Sequence, residues 1–197
     1  MGRLIWFFRS HLQSLPYKER VIPSHFFDLL YWKKLASNEF IHNDKWCFYR
    51  EPKLENFGRI TFVPWKDFYI TYTQIPDTHP NLFSAPFEGC HMARYIDRRG
   101  RHFGCHIHTG KIILRLDGRF ARLNEDTIEK WNEFVRGNNV SKIVVFNPNH
   151  RLYNPEYVDT WGIITSNFQC YTIYVDPKSR LLVDFRSARP LYKSIII

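Results

Sequence analysis

The stretch Glu88-Gly89-Cys90-His91-Met92-Ala93-Arg94-Tyr95-Ile96, Asp97-Arg98-Arg99-Gly100, Arg101-His102-Phe103-Gly104-Cys105-His106-Ile107-His108-Thr109-Gly110 decides the reading of this chain. Its two arms, His91–Ile96 and His102–Thr109, read as strands, and Asp97-Arg98-Arg99-Gly100 between them is a turn signal. The predicted unit is an antiparallel hairpin. Side chains alternate between the faces of a strand. His102, His106 and His108 therefore share one face of the second arm, and Phe103, Cys105 and Ile107 share the other. The second face is apolar, which makes Cys105 a core thiol. Gly89 next to Cys90 tolerates an unusual backbone angle and leaves room for a close approach.

Outward from the hairpin the texture is β-rich. Arg59–Val63, Phe68–Gln74, Lys111–Leu116, Ile143–Phe146, Gly162–Thr165, Cys170–Val175 and Leu181–Phe185 carry the β-branched and aromatic content of strands. Ile75-Pro76-Asp77-Thr78-His79-Pro80-Asn81 reads as a loop with two prolines. One helix opens after Asn124, presents Ile128, Trp131, Phe134 and Val135 on one face, and ends at Gly137. Residues 1–57 read as basic and helical. Leu4, Ile5, Phe8 and Leu12 hold helical spacing up to Pro16, and a second helix runs from Ser24 to about Leu35. The expected organisation is an N-terminal helical cap over 1–57 and an α+β domain over 58–197. Its core is a mainly antiparallel sheet or sandwich with flanking helices.

Composition limits the function classes. The 197 residues are 44% hydrophobic, enough for a core and incompatible with a disordered chain. No apolar run approaches the roughly 20 residues that span a bilayer. Cys47, Cys90, Cys105 and Cys170 are scattered, with no CxxC pair, so a zinc ribbon or thioredoxin motif is excluded and buried free thiols are expected. The apolar stretch after Arg3 is shorter than the roughly 7–15 residues of a signal-peptide core. Gly2 suggests myristoylation, but Trp6 stands where that motif needs Ser or Thr. The expected location is the cytoplasm, or outside the cell after export as an effector through a specialised system.

Twenty-eight Lys and Arg against 19 Asp and Glu leave a formal charge of +9, which invites nucleic acid or an anionic surface. No RNA-recognition sheet motif, helix-turn-helix, KH loop or finger spacing accompanies it. Nucleic acid is therefore disfavoured against a protein partner, acidic or membrane-proximal. The basic residues gather at Lys18, Arg20, Lys33 and Lys34 and around the hairpin turn at Arg94, Arg98, Arg99 and Arg101. They read as a docking surface beside Cys90.

The chemistry lies in the hairpin. If the register sets Cys90 opposite His108, the two Cβ atoms lie roughly 4.5–5.5 Å apart on one face. A slip of one residue would group Cys90 with Cys105 and Ile107 instead. A neighbouring imidazole turns a thiol into a reactive thiolate, and backbone N–H groups around the cysteine can hold an oxyanion. His106 is the alternative base, whereas His91 alternates to the far face as a surface or structural residue. A metal site is the rival reading, built from His102, His106 and His108 with Cys90 or His91. A basic nucleic-acid or protein-binding module without catalysis is the third.

Gly89-Cys90, a strand–turn–strand, then His108-Thr109-Gly110 resembles the Gly-Cys … His-Thr-Gly pattern of the cytotoxic necrotizing factor catalytic domain and the chemoreceptor glutamine deamidase-like family. Related members carry a Thr six positions before the nucleophile, and Ser84 stands six before Cys90 here. The resemblance spans about residues 84–110. It implies Cys90 as nucleophile, His108 as base and Ser84 as orienting hydroxyl. It further implies a β-sandwich flanked by helices, and hydrolysis of a glutamine side-chain amide without metal or other cofactor. The family's Leu-Ser-Gly-Cys is Phe87-Glu88-Gly89-Cys90 in this chain, and Ser replaces Thr.

Overall fold

The hairpin forms as its turn chemistry dictates. The Asp97 carboxylate accepts the backbone N–H groups of Arg99 and Arg101, each at 2.9 Å, and Gly100 takes the positive φ of +76° that closes the turn. The strands are β6 (His91–Ile96) and β7 (His102–Ile107), paired antiparallel from His91↔Ile107 to Ile96↔His102. This is seen in a computed structural model that describes residues 3–22, 41–43, 46–48, 60–65, 69–78, 80–109, 112–114, 120–122, 125–138, 140–149 and 158–191.

Two antiparallel-rich sheets make the α+β fold. The six-stranded sheet runs β1-β2-β4-β7-β6-β10, with β1 Ile41–Asn43, β2 Trp46–Phe48, β4 Ile70–Gln74 and β10 Ser141–Phe146. The five-stranded sheet runs β13-β12-β11-β5-β3, with β3 Ile60–Phe62, β5 Asn81–Ser84, β11 Asp159–Ile164, β12 Cys170–Asp176 and β13 Leu181–Ala188. Two pairs, β2 with β4 and β3 with β5, are parallel. A separate small ladder joins β8 (Ile112–Leu114) to β9 (Phe120–Arg122).

Three buried clusters define the layers. Between the sheets lie Leu82, Phe87, Cys90, Met92, Phe146, Ile164 and Cys170. On the outer face of the six-stranded sheet, Ala93, Tyr95, Phe103, Cys105, Ile107 and Val145 pack under Trp131 of helix α2, Glu125–Gly137. On the outer face of the five-stranded sheet, Phe83, Trp161, Ile163, Ile173 and Phe185 meet Ile5, Phe8 and Leu12. These last three come from the N-terminal helical segment, which begins as α1 (Arg3–Trp6) and continues through a π turn and a 3-10 turn to Ser14. The order is helical segment, sheet, sheet, helix.

Gly104 lets the sheets close. It lies opposite Arg94 on β6, and a Cβ built on it would stand 2.2 Å from a methyl of Leu82 in the other sheet. No side chain larger than hydrogen fits unless Leu82 moves.

Several boundaries differ from the sequence reading. Residues 41–43 and 46–48 supply strands β1 and β2, although 1–57 reads as helical, because pairing with β4 outweighs local preference. Asn81 opens β5, where the two prolines suggested loop; Ser84, Phe83 and Leu82 pair with Gly162, Ile163 and Ile164. The helix expected from Ser24, and the Asn124 cap, lie outside the described residues. Cys90, Cys105 and Cys170 are all buried free thiols. Burial pushes the Cys105 thiol far up and the Cys170 thiol up to about 12.

Candidate functional site

The hairpin register pairs His91 with Ile107. That pair ends the ladder, and the same register extended by one position would set Cys90 opposite His108, where a tight turn closes with the Thr109 N–H donating to Ile107 O at 2.9 Å. The ladder does continue on the other side of β7, where the His108 N–H donates to Tyr69 O at 3.2 Å. The slipped alternative is absent: Cys90 packs between the sheets, while Cys105 and Ile107 face α2. His106, which pairs with Met92, is the diagonal neighbour of Cys90 on the same inner face.

A hydrogen-bonded clamp holds the two ends of the hairpin together. Thr109 Oγ1 donates to Gly89 O at 2.8 Å, and Asn147 Nδ2 donates to the same carbonyl at 3.3 Å. A hydroxyl has one proton, so the 2.9 Å contact between His91 Nδ1 and Thr109 Oγ1 must be donated by the imidazole N–H. Asn147 Oδ1 in turn accepts the backbone N–H of Asn149 at 2.8 Å. Gly89 sits at φ +134°, a conformation that a side chain would strain. The carbonyl entering Cys90 is thus held by two donors, one of them itself held by His91.

The same proton arithmetic assigns His106. Ser84 Oγ donates to Val63 O, so His106 Nδ1–H donates to Ser84 Oγ across 2.7 Å. In the neutral ring the basic lone pair then sits on Nε2. Phe87 stacks on the imidazole face to face, with centroids 4.2 Å apart and planes parallel. His106 is 1% exposed and its ring is locked by an edge contact and a face contact together.

Ser84 therefore orients His106, not the His108 that the resemblance implies as base. His108 is half-buried at the rim, edge-on to Trp65 with centroids 5.7 Å apart. His91 is on the far face as expected, but it is 3% exposed and structural rather than a surface residue. Cys90 itself is 3% exposed.

Among the described residues no group of three His, Cys, Asp or Glu is placed to hold a metal ion. His102 stands at the other end of β7, where its Nδ1 lies 3.1 Å from an Arg94 guanidinium nitrogen.

The sequence groups Arg94 with a basic surface, but it is 2% exposed. Its Nη1 donates to Thr165 O at 2.8 Å and to Pro80 O, and its guanidinium lies 4.8 Å from the centre of the Phe168 ring. Burial brings its pKa down to about 10, so it stays charged at neutral pH. Lys142 covers the same ring from 4.5 Å. Both Lys142 and Phe168 hold positive φ, +47° and +65°, and Lys142 falls in the register shift of β10.

The other arginines of the turn are not beside Cys90. Six residues of β6 separate Cys90 from Asp97, a span of about 20 Å at strand rise. The sequence reading of one docking surface adjoining the thiol is corrected by strand length alone.

Thr109 and Phe87 are the residues that sequence reasoning missed as positioning groups, and Asn147, one of several residues able to orient an imidazole, holds the Gly89 carbonyl instead. The His-Thr-Gly triplet was the available signal for Thr109. No helix among the described residues is long and apolar enough to cross a membrane. No family model, curated protein or solved structure matches the chain.

Proposed function

We propose that this chain is a cysteine-dependent amidohydrolase, a protein glutamine deamidase of effector type, with Cys90 as nucleophile. The observation that carries the reading is the Thr109–Gly89 clamp, which fixes the Gly-Cys corner against the His-Thr corner in the register that a Cys–His pair needs. The Ser84–His106–Phe87 unit supports it by supplying a second imidazole, oriented and in a defined tautomer, on the same face.

The reaction balances without a cofactor. The Cys90 thiol passes its proton to an imidazole as Sγ attacks the carboxamide carbon, and backbone N–H groups near Cys90 hold the oxyanion. The C–N bond breaks, the imidazolium returns the proton, and ammonia leaves. Water then attacks the thioester with the imidazole as base, releasing glutamate and the free thiol. His108, opposite Cys90 in the extended register, and His106, diagonal to it, are the two bases for this step. Ser84 and Phe87 position His106. The substrate is a protein glutamine, and the buried Cys90 requires the rim of the site to open as it docks.

The test has two parts. Proteins of a cell lysate incubated with the wild-type chain should show glutamine-to-glutamate conversion by mass spectrometry, and those incubated with Cys90→Ala should not. Cys90 should also be alkylated by iodoacetamide faster than Cys105. Absence of conversion together with equal, slow alkylation of the two thiols would overturn the reading.

A further inference from the structure

The end of the β6–β7 hairpin remote from Cys90 carries a groove of about 820 Å³ between the Asp97–Arg101 turn and the last turn of α2. It lies on the outer face of the six-stranded sheet, the face opposite the inner one that holds Cys90. Its volume is within the range of small-ligand sites, roughly 300–1,000 Å³.

A row of rings lines it. Phe103 stacks on Tyr95 with centroids 5.3 Å apart, Tyr95 meets Phe134 edge-on at 5.2 Å, and Tyr72 lies 6.2 Å from Phe103 on the other side. The inner two rings are buried, and the Arg101 guanidinium lies 5.4 Å over the Phe103 ring, whereas Tyr72 and Phe134 at the two ends of the row are only partly buried. Aromatic surface is therefore presented at both ends of the row.

The walls are cationic. Arg98, Arg99 and Arg101 come from the turn, and Arg136 comes from α2 on the facing wall. All four are exposed. The single acid in the lining, Asp97, is already committed: its carboxylate accepts from Arg101 Nε at 2.8 Å and caps the turn's backbone. Arg98, Arg99 and Arg136 make no ion pair with a described residue. Three guanidinium groups thus line one groove with no counter-charge among the described residues. Gln74, also exposed in the lining, adds a neutral amide able both to donate and to accept.

We propose that this groove binds a nucleoside phosphate, with the base against the accessible part of Tyr72 or Phe134 and the phosphate between the turn and Arg136. Arginine forks match phosphate oxygens in pairs, and base–aromatic stacking contributes roughly 1–3 kcal/mol per base. A run of carboxylates would satisfy the arginines alone and make no use of the accessible parts of Tyr72 and Phe134 in the lining, which is why an acidic peptide fits less well. The ligand chemistry is shared by a free nucleotide and by a unit of a single strand. The site is independent of the Cys90 reading.

The test is titration of the full chain with a fluorescent ATP derivative and, separately, with a short fluorescein-labelled oligouridylate. At least one should bind saturably. Oligouridylate binding with a steep salt dependence assigns a strand, and ATP binding alone assigns a free nucleotide. Arg98→Glu with Arg99→Glu, and Arg136→Glu, should each weaken binding by about tenfold or more, and Tyr72→Ala should weaken it too. Cys90→Ala should leave it unchanged. Arg136→Gln replaces the charge reversal if that variant unfolds. The proposal is overturned if neither probe binds, if the arginine variants bind as the wild type does, or if polyglutamate or tripolyphosphate displaces the probe as well as ATP does.

Discussion

Thr109 Oγ1 donates to the carbonyl oxygen of Gly89 across 2.8 Å, tying the residue after His108 to the residue before Cys90. The bond spans the open end of the β6–β7 hairpin, where two strands would otherwise fray. It also leaves Thr109 as the acceptor for His91, so one hydroxyl organises both corners. Thr109→Val removes the donor to Gly89 and the acceptor for His91 in a residue that is fully buried. The expected loss is about 1–3 kcal/mol in urea denaturation, with Thr109→Ser recovering most of it. A Thr109→Val variant as stable as the wild type would remove the clamp from the account.

Ser84 separates orientation from packing at His106. Ser84→Ala deletes the acceptor for Nδ1–H and leaves Val63 O without this donor, in a site with no exposure. Stability should fall by about 1–3 kcal/mol. If His106 is the working base, deamidation should fall further than folding accounts for, and its pH profile should shift. Unchanged activity and profile would return the role of base to His108.

Gly104→Ala tests the closure of the two sheets. The new methyl meets Leu82 in the facing sheet well inside contact distance, so overpacking should cost about 1–3 kcal/mol. Leu82→Ala alone should also destabilise by leaving a cavity. The two changes together should cost less than their sum, because each relieves the other. Strict additivity in denaturant titrations would show that the methyl and Leu82 do not compete for the same space.

His102 makes stability depend on acid. Burial first, then the neighbouring Arg94 and Lys142 charges, hold its pKa below the ordinary 6.5, while Asp77 opposes them. The folded chain thus favours the neutral ring, which accepts from Arg94. A depressed pKa contributes stability that is present above the unfolded value and lost as pH falls through the folded one. Unfolding free energies measured from about pH 8 to about pH 5 should decline on the acid side. His102→Asn retains an oxygen acceptor that does not titrate, and its profile should be flatter. An equal decline in both chains would place the acid sensitivity elsewhere.

The hairpin was legible because its signals are local. Asp97 and Gly100 mark the turn, and alternation over His102–His108 sorts the faces without any partner strand. Helix α2 was legible from its periodic apolar face. Strands β1, β2 and β5 were not, because three or four residues carry too little pattern to outweigh nearby prolines and charges. Ser84 was noticed through its spacing from Cys90, yet spacing along a chain does not say which imidazole it meets. That depends on how β5 of one sheet lies over β7 of the other.

Arg94 shows the same limit from the side of charge. Among four arginines near one turn, only the inward alternation of β6 takes Arg94 out of solvent, onto Thr165 O, Pro80 O and the Phe168 ring. Sequence alone determined that the chain is an α+β protein with a basic hairpin, that Cys90 and His108 fall at matching ends of that hairpin, and that Cys105 belongs to the core. Those properties follow from period, turn residues and composition, which act over a few residues. Only the tertiary structure decided that Ser84 orients His106, that Thr109 clamps Gly89, and that the turn arginines face Arg136 about 20 Å from Cys90. Those relationships arise between elements distant in sequence, through the packing of one sheet on another and of α2 on a sheet, and no local pattern encodes that placement.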